Sequence, residues 1–309
     1  MANSFVILKR TFATSTSLSN VIKNVTIIGG GLMGSGIAQV SAQSGNHVTL
    51  VEVNENVLKK AQASIEKNLG RVAKKLYKDK PQDGEKFVAE ALQRIKGVTK
   101  PEESVNDSDL VIEAIVENMD IKHKLFTTLD KAAPAKTIFA SNTSSLSIGE
   151  IASVTNRKDR FGGLHFFNPP PVMKLLEVVR TPDTSEETYK AMMAWGKSIG
   201  KVCITAKDTP GFVVNRLLVP YIAEAIRMYE RGDASPRDID TAMKLGAGYP
   251  MGPFELADYV GHDTSHSILK GWYEKTKNPL FKPNESVQKL IDEGKLGVKT
   301  GEGFYKYGK

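Results

Sequence analysis

The chain has 309 residues, 40% hydrophobic and 25% charged, the balance of a soluble globular protein with room for roughly two domains. No apolar run approaches the ~20 residues of a membrane-spanning helix, and the single cysteine, Cys203, excludes an internal disulfide or a multi-cysteine zinc site. The formal charge of +7 is not gathered into arginine-rich or aromatic-interleaved stretches, so it does not point to nucleic acid; a modest surplus suits an enzyme that handles anions.

Residues 1–20 carry Lys9 and Arg10, many Ser and Thr, and no acid; Glu52 is the first acidic residue of the chain. Basic, hydroxyl-rich, acid-poor starts mark organelle import peptides, and the apolar stretch 5–8 is too short for a secretory signal. We expect a mitochondrial leader here, the alternative being a disordered tail.

Folded structure is expected from residue 21. Residues 24–28 (NVTII) read as a buried strand, followed by GGGLMGSG, in which Gly29, Gly31 and Gly34 satisfy GxGxxG. A helix over 32–44 and a strand over 47–53 containing Glu52 complete the unit. Gly29 permits the tight turn, Gly31 lets the backbone approach a pyrophosphate, and Gly34 lets helix pack on strand; Leu32 and Met33 present helix N-terminal amides. An acid at the end of the second strand accepts the adenine-ribose hydroxyls and repels a 2′-phosphate, which points to NAD rather than NADP.

The alternation continues. Residues 57–78 predict a helix with an apolar face of Val57, Ala61, Ile65, Leu69, Val72 and Leu76 and a lysine-rich remainder, either a solvated face or a phosphate-binding one. Residues 109–116 and 137–140 predict buried strands with a helix over 119–132. Glu117 and the hydroxyl-rich loop 141–145 fall at strand ends, where ligands of a doubly wound sheet bind.

His165 lies in the strand-like run 161–167 and Glu177 in the next run, 173–179, across a break containing Pro169, Pro170 and Pro171. Adjacent strands would pair imidazole with carboxylate, an arrangement that fixes the histidine tautomer for proton abstraction from an alcohol. His262 and His266 stand at i, i+4, but HDTSH lacks the glutamate of HExxH, so no metal is expected. His47, His123 and Cys203 read as strand-start, surface-helix and buried-strand positions.

From residue 208 the chain reads as helical, over 211–231, 236–245, 253–260, 263–275 and 285–293. Ser235-Pro236 is a strong helix start. Val213, Leu217, Leu218, Tyr221, Ile222, Ala225 and Met228 form a wide apolar stripe that wants a partner surface.

At GGGLMGSG, EAIVEN, SNTSSLSI, LHFFNPPPVMKLLEVV, DTPGFVVNRLL, GYPMGPFELADYVG and KTGEGFYKY the chain resembles the short-chain mitochondrial L-3-hydroxyacyl-CoA dehydrogenases of fatty-acid β-oxidation, over residues 21–309. The resemblance implies a Rossmann-type NAD-binding domain over 21–207 and an all-α dimerisation domain over 208–309. It implies oxidation of (S)-3-hydroxyacyl-CoA to 3-oxoacyl-CoA in the mitochondrial matrix by a homodimer. His165 then corresponds to the base, Glu177 to its partner, and Ser144 and Asn215 to the groups around the substrate oxygen. Glu52, Glu117, Lys122, Ser144, Asn168 and Lys299 correspond to cofactor contacts, and Lys75 and Asn68 to coenzyme A contacts. Glu52 stands where aspartate is commoner, and Asn68 where serine is. Two rivals stay open: another β-hydroxyacid dehydrogenase, such as a bacterial-type 3-hydroxybutyryl-CoA enzyme, and a non-enzymatic bulk role like that of the related lens crystallins.

Overall fold

The computed structural model describes residues 22–308, and the expected leader over 1–20 lies outside them. The sheet unit runs β1 (Asn24–Ile28), α1 (Leu32–Gln43), β2 (His47–Val51), α2 (Glu55–Leu76), α3 (Pro81–Gln93), β3 (Ile95–Val98), β4 (Leu110–Glu113), α4 (Met119–Ala132), β5 (Ile138–Ser141), α5 (Ile148–Ala152), β6 (Phe161–Phe166), β7 (Leu175–Arg180), α6 (Glu186–Ser198) and β8 (Val202–Lys207). The helical unit follows with α7 (Val214–Glu230), α8 (Pro236–Gly246), α9 (Pro253–Val260), α10 (His262–Thr276) and α11 (Glu285–Asp292).

The strands form one sheet in the order β3-β2-β1-β4-β5-β6-β7-β8. From β3 to β6 every pairing is parallel; β7 then runs antiparallel to β6, and β8 parallel to β7. The first six strands thus have doubly wound Rossmann order, with the switch point between β1 and β4. Strands buried on both faces explain the unbroken apolar runs. One face packs Ile27, Leu50 and Leu164 against α1, α2 and α6, and the other packs Ile28, Phe139 and Phe161 against α4 and α5.

Several boundaries differ from the sequence reading. The apolar runs of β2 and β4 overshoot their strands: Val53 and Val116 are 82% and 63% exposed, because both chains leave the sheet to form ligand-facing loops. On α2 the buried stripe is Leu58, Ala61, Ile65, Leu69 and Ala73, so Leu76 faces solvent in the last turn. Cys203 is only half-buried, because β8 is the edge strand. α3, β3 and α6 complete the unit between the elements the pattern marks.

In α7 the expected stripe divides. Ile222, Ala225 and Ile226 enter the helical core with Phe254, while Leu217 is 70% exposed.

Candidate active site

Three stretches of chain converge at the C-terminal ends of the parallel strands. The first is the glycine loop between β1 and α1. Gly29 holds a φ of +98°, and a Cβ at Gly34 would overlap the Gly29 carbonyl, so both positions require glycine. Gly31 faces open space and begins α1 with no side-chain cap and no acid in the first turn. The first amides of the helix, at Leu32 and Met33 among others, therefore address that space, the arrangement that receives a phosphate. Glu52, just past β2, places Oε1 2.5 Å from the Gly30 amide and Oε2 2.9 Å from that of Val53. An uncapped helix end, an open glycine and an adjacent carboxylate fit a dinucleotide.

The second stretch follows β4. Glu113, in the last position of the strand, is fully buried and went unnoticed in the sequence because it lies inside an apolar run. Its Oε1 accepts from Lys122 Nζ at 2.5 Å and from the Ile115 amide at 2.8 Å; its Oε2 accepts from Ser141 Oγ at 2.6 Å. Lys122, only 1% exposed, reaches Glu117 at 3.2 Å as well. Glu117 Oε1 accepts from Thr143 Oγ1 at 2.5 Å, Ser145 Oγ at 2.9 Å, and the Ser144 and Ser145 amides at 3.2 and 3.3 Å. Burial pushes the Glu117 carboxyl up, but Thr143, the Lys122 charge and Ser145 outweigh it and hold it below its ordinary value. The loop carrying Ser144 is thereby fixed by its neighbours, and the Ser144 hydroxyl makes no hydrogen bond to the described residues.

The third stretch is the β6–β7 pair. His165 and Glu177 are register partners in the antiparallel ladder, so their side chains stand together on one face. His165 Nδ1 lies 2.7 Å from Glu177 Oε2, and both residues are buried. The other oxygen, Oε1, accepts the Val213 and Val214 amides at 3.1 and 2.9 Å, which begin α7. Both carboxylate oxygens accept, so Nδ1 donates and Nε2 carries the free lone pair. Phe167 and Phe212 pack on the imidazole at 4.6 and 5.5 Å between ring centroids. Asn215 sits in the first turn of α7, one residue beyond the amides that Glu177 holds.

A cleft of about 610 Å3 separates the two units, with Met33, Glu117, Asn142 and Ser144 on one wall and Thr264 and Trp272 of α10 on the other. His165 stands beside it, linked through Asn142, whose Oδ1 accepts the Phe166 amide at 2.9 Å.

This site lies across two units that match two family models. The NAD binding domain of 3-hydroxyacyl-CoA dehydrogenase matches residues 24–209, and the C-terminal domain of the same enzyme matches residues 211–307. The chain belongs to the 3-hydroxyacyl-CoA dehydrogenase family. It is similar to the mitochondrial hydroxyacyl-coenzyme A dehydrogenase of Sus scrofa, with 56% identity over 296 residues, 96% of this chain and 94% of the relative. The mitochondrial enzyme of Homo sapiens shares 56% identity over the same coverage. Among solved structures, (S)-3-hydroxybutyryl-CoA dehydrogenase from Ralstonia eutropha superposes with a TM-score of 0.88 at 43% identity, covering 93% of this chain and 100% of that one.

The remaining candidate residues of this family member are scattered. Asn168 is exposed at the start of the proline loop, joined to Pro169 by a cis peptide bond. Lys299 pairs with Asp263 at 2.5 Å in the helical unit and is not part of the cleft wall. Asn68 is half-buried on α2 and accepts from Arg71 at 3.3 Å, and Lys75 is exposed near the end of that helix. The i, i+4 histidines do not converge: His262 Nε2 pairs with buried Asp258 Oδ1 at 2.7 Å, and no group of three metal-ligating side chains occurs among the described residues. Neither is any described helix long and apolar enough to cross a membrane.

Proposed function

We propose that this protein oxidises (S)-3-hydroxyacyl-CoA to 3-oxoacyl-CoA with NAD, reversibly, in the mitochondrial matrix. The observation that carries the reading is the buried His165–Glu177 pair, joined through Phe166 and Asn142 to a cleft that Met33, in the uncapped first turn of α1, also lines. NAD, when bound, supplies the acceptor for the hydride that leaves substrate C3. The glycine loop with Leu32 and Met33 would hold its pyrophosphate, Glu52 its adenine ribose, and Glu117, Lys122 and Asn168 would be further contacts, with Lys299 reaching it from outside the cleft wall.

His165 Nε2 takes the proton of the C3 hydroxyl. The ring gains a positive charge, which the Glu177 carboxylate at Nδ1 offsets. Glu177 is held in turn by two amides at the N-terminus of α7, where the helix dipole favours negative charge. Ser144 and Asn215 donate to the substrate oxygen and orient C3. Lys75 and Asn68 on α2 take the coenzyme A phosphates, for which a mobile lysine charge is suited.

The protein acts as a homodimer through the helical unit. Leu217 and Leu245 are 70% and 83% exposed there, and Tyr221 stacks on half-exposed Tyr249 at 5.2 Å, an apolar surface that a second copy would cover.

Acetoacetyl-CoA-dependent oxidation of NADH, followed at 340 nm (about the absorbance maximum of reduced nicotinamide), tests the proposal. Its absence with purified protein would refute it.

A further inference from the structure

We propose that Asp208 is a positioning residue that holds Ser144 in register with the helical unit; the inference rests on the reading of Ser144 as a substrate contact. β8 ends at Lys207, and Asp208 opens the linker to α7. Its carboxylate is turned back onto the sheet unit. Oδ1 accepts the Ile148 amide at 2.9 Å, and Oδ2 accepts the Ser147 hydroxyl and the Gly149 amide, both at 2.8 Å. Gly149 leaves room for this contact, since a Cβ there would stand 3.3 Å from Oδ2.

A five-residue helix does not by itself require such an anchor, because Ser147 Oγ already caps α5 through the Glu150 amide at 3.2 Å. The position of the tie explains it. The held segment begins three residues after Ser144, and Glu117 holds the amides of Ser144 and Ser145 from the other side. The Ser144 loop is therefore clamped between two carboxylates. Asp208 belongs to the linker whose far end, Val213 and Val214, is fixed by Glu177 one residue ahead of Asn215. Asp208 ties one end of the linker to residues 147–149, which follow Ser144, and Glu177 ties the other to His165. Asp208, Thr209 and Pro210 also line the cleft with Ser144. The three groups assigned to the substrate oxygen come from three segments, and this linker keeps them in one frame.

Asp208→Asn retains the shape but sets an amide group among three donors, so at least one loses its acceptor. In the full-length protein we expect kcat/KM for acetoacetyl-CoA to fall about tenfold, the size of coupling seen between contacting groups, with NADH affinity unchanged. Ser144→Ala alone should lower activity, and adding Asp208→Asn to it should cause no further loss. Losses that multiply in the double variant would overturn the proposal, as would full activity of Ser144→Ala beside a defective Asp208→Asn. Amide exchange over residues 144–150 supplies a readout independent of catalysis: Asp208→Asn should accelerate it, and unchanged exchange would also overturn the proposal. Gly149→Ala, a milder disturbance of the same contact, should shift both readouts in the same direction by less. A wild-type protein inert toward acetoacetyl-CoA would instead refute the proposed function, leaving the exchange measurement to decide the role of Asp208.

Discussion

Replacing Glu177 by glutamine changes one atom and should nearly abolish turnover, for a reason visible in the hydrogen bonds. Three donors fix the carboxylate: the Val213 and Val214 amides at Oε1, 3.1 and 2.9 Å away, and His165 Nδ1 at Oε2, 2.7 Å away. A glutamine offers one acceptor oxygen and one NH2. Were the NH2 to face the α7 amides, two buried donors would lose their partner at about 1–3 kcal/mol each. The amide oxygen therefore faces α7, and the NH2 faces His165. Nδ1 must then accept, which moves the ring proton to Nε2, the atom that has to receive the substrate proton. The wrong tautomer together with loss of the compensating charge should lower kcat by about 10^3–10^4-fold, the scale of the analogous carboxylate-to-amide change in serine-protease triads. Steady-state kinetics with acetoacetyl-CoA gives the rate, and 15N NMR of the labelled imidazole gives the tautomer. An active variant, or one whose proton stays on Nδ1, would refute the reasoning.

Three further outcomes follow from the same geometry. Glu52→Ala should weaken NAD binding by about tenfold and relax discrimination against NADP, since a charged acceptor beside the ribose is lost; equal wild-type efficiency with both cofactors would contradict the assignment. Lys75→Ala should raise KM for acetoacetyl-CoA about two- to fivefold, an effect that fades with salt, and leave a pantetheine thioester unaffected; equal weakening of both substrates would show α2 to be only a solvated face. Glu117 is held below its ordinary value of 4.5, so its contribution to stability is complete above that pH and is lost as pH falls through the lowered folded value. The stability gap between wild type and Glu117→Gln, from urea titrations, should be flat above about pH 5 and shrink below it; a gap that widens in acid would reverse the sign.

The parts of the site that were legible were those whose chemistry restricts residue type locally. GxGxxG after a β-branched run allows few structures, and His165 with Glu177, in consecutive apolar runs across a proline break, could meet only on neighbouring strands. Glu113 escaped because DLVIEAIV reads as a buried strand; a lone acid interrupting such a run is the signal that would have found it. β3 escaped because IKGV is a four-residue edge strand with an exposed lysine and no continuous apolar character. α3 starts at Pro81 and carries Gly84 in its first turns, both poor helix formers by propensity, although Phe87, Val88, Ala91 and Leu92 mark a packed face at helical spacing. The scatter of Asn68, Lys75 and Lys299 shows the other limit: residue-by-residue transfer from a family names positions, whereas hydrogen bonds show what each position does in this chain. Asp208 is the converse case, a residue inside a recognised motif whose three hydrogen bonds to the Ser144 segment appear only in three dimensions.

If His165 removes the hydroxyl proton of a 3-hydroxyacyl-CoA, its replacement must act on turnover and spare cofactor binding. The direct measurement compares wild type with His165→Gln in NAD-dependent oxidation of (S)-3-hydroxybutyryl-CoA, with NADH affinity measured on both. The kcat should fall by at least about 100-fold with NADH binding retained, the signature of a lost general base. Near-normal turnover by His165→Gln would contradict it.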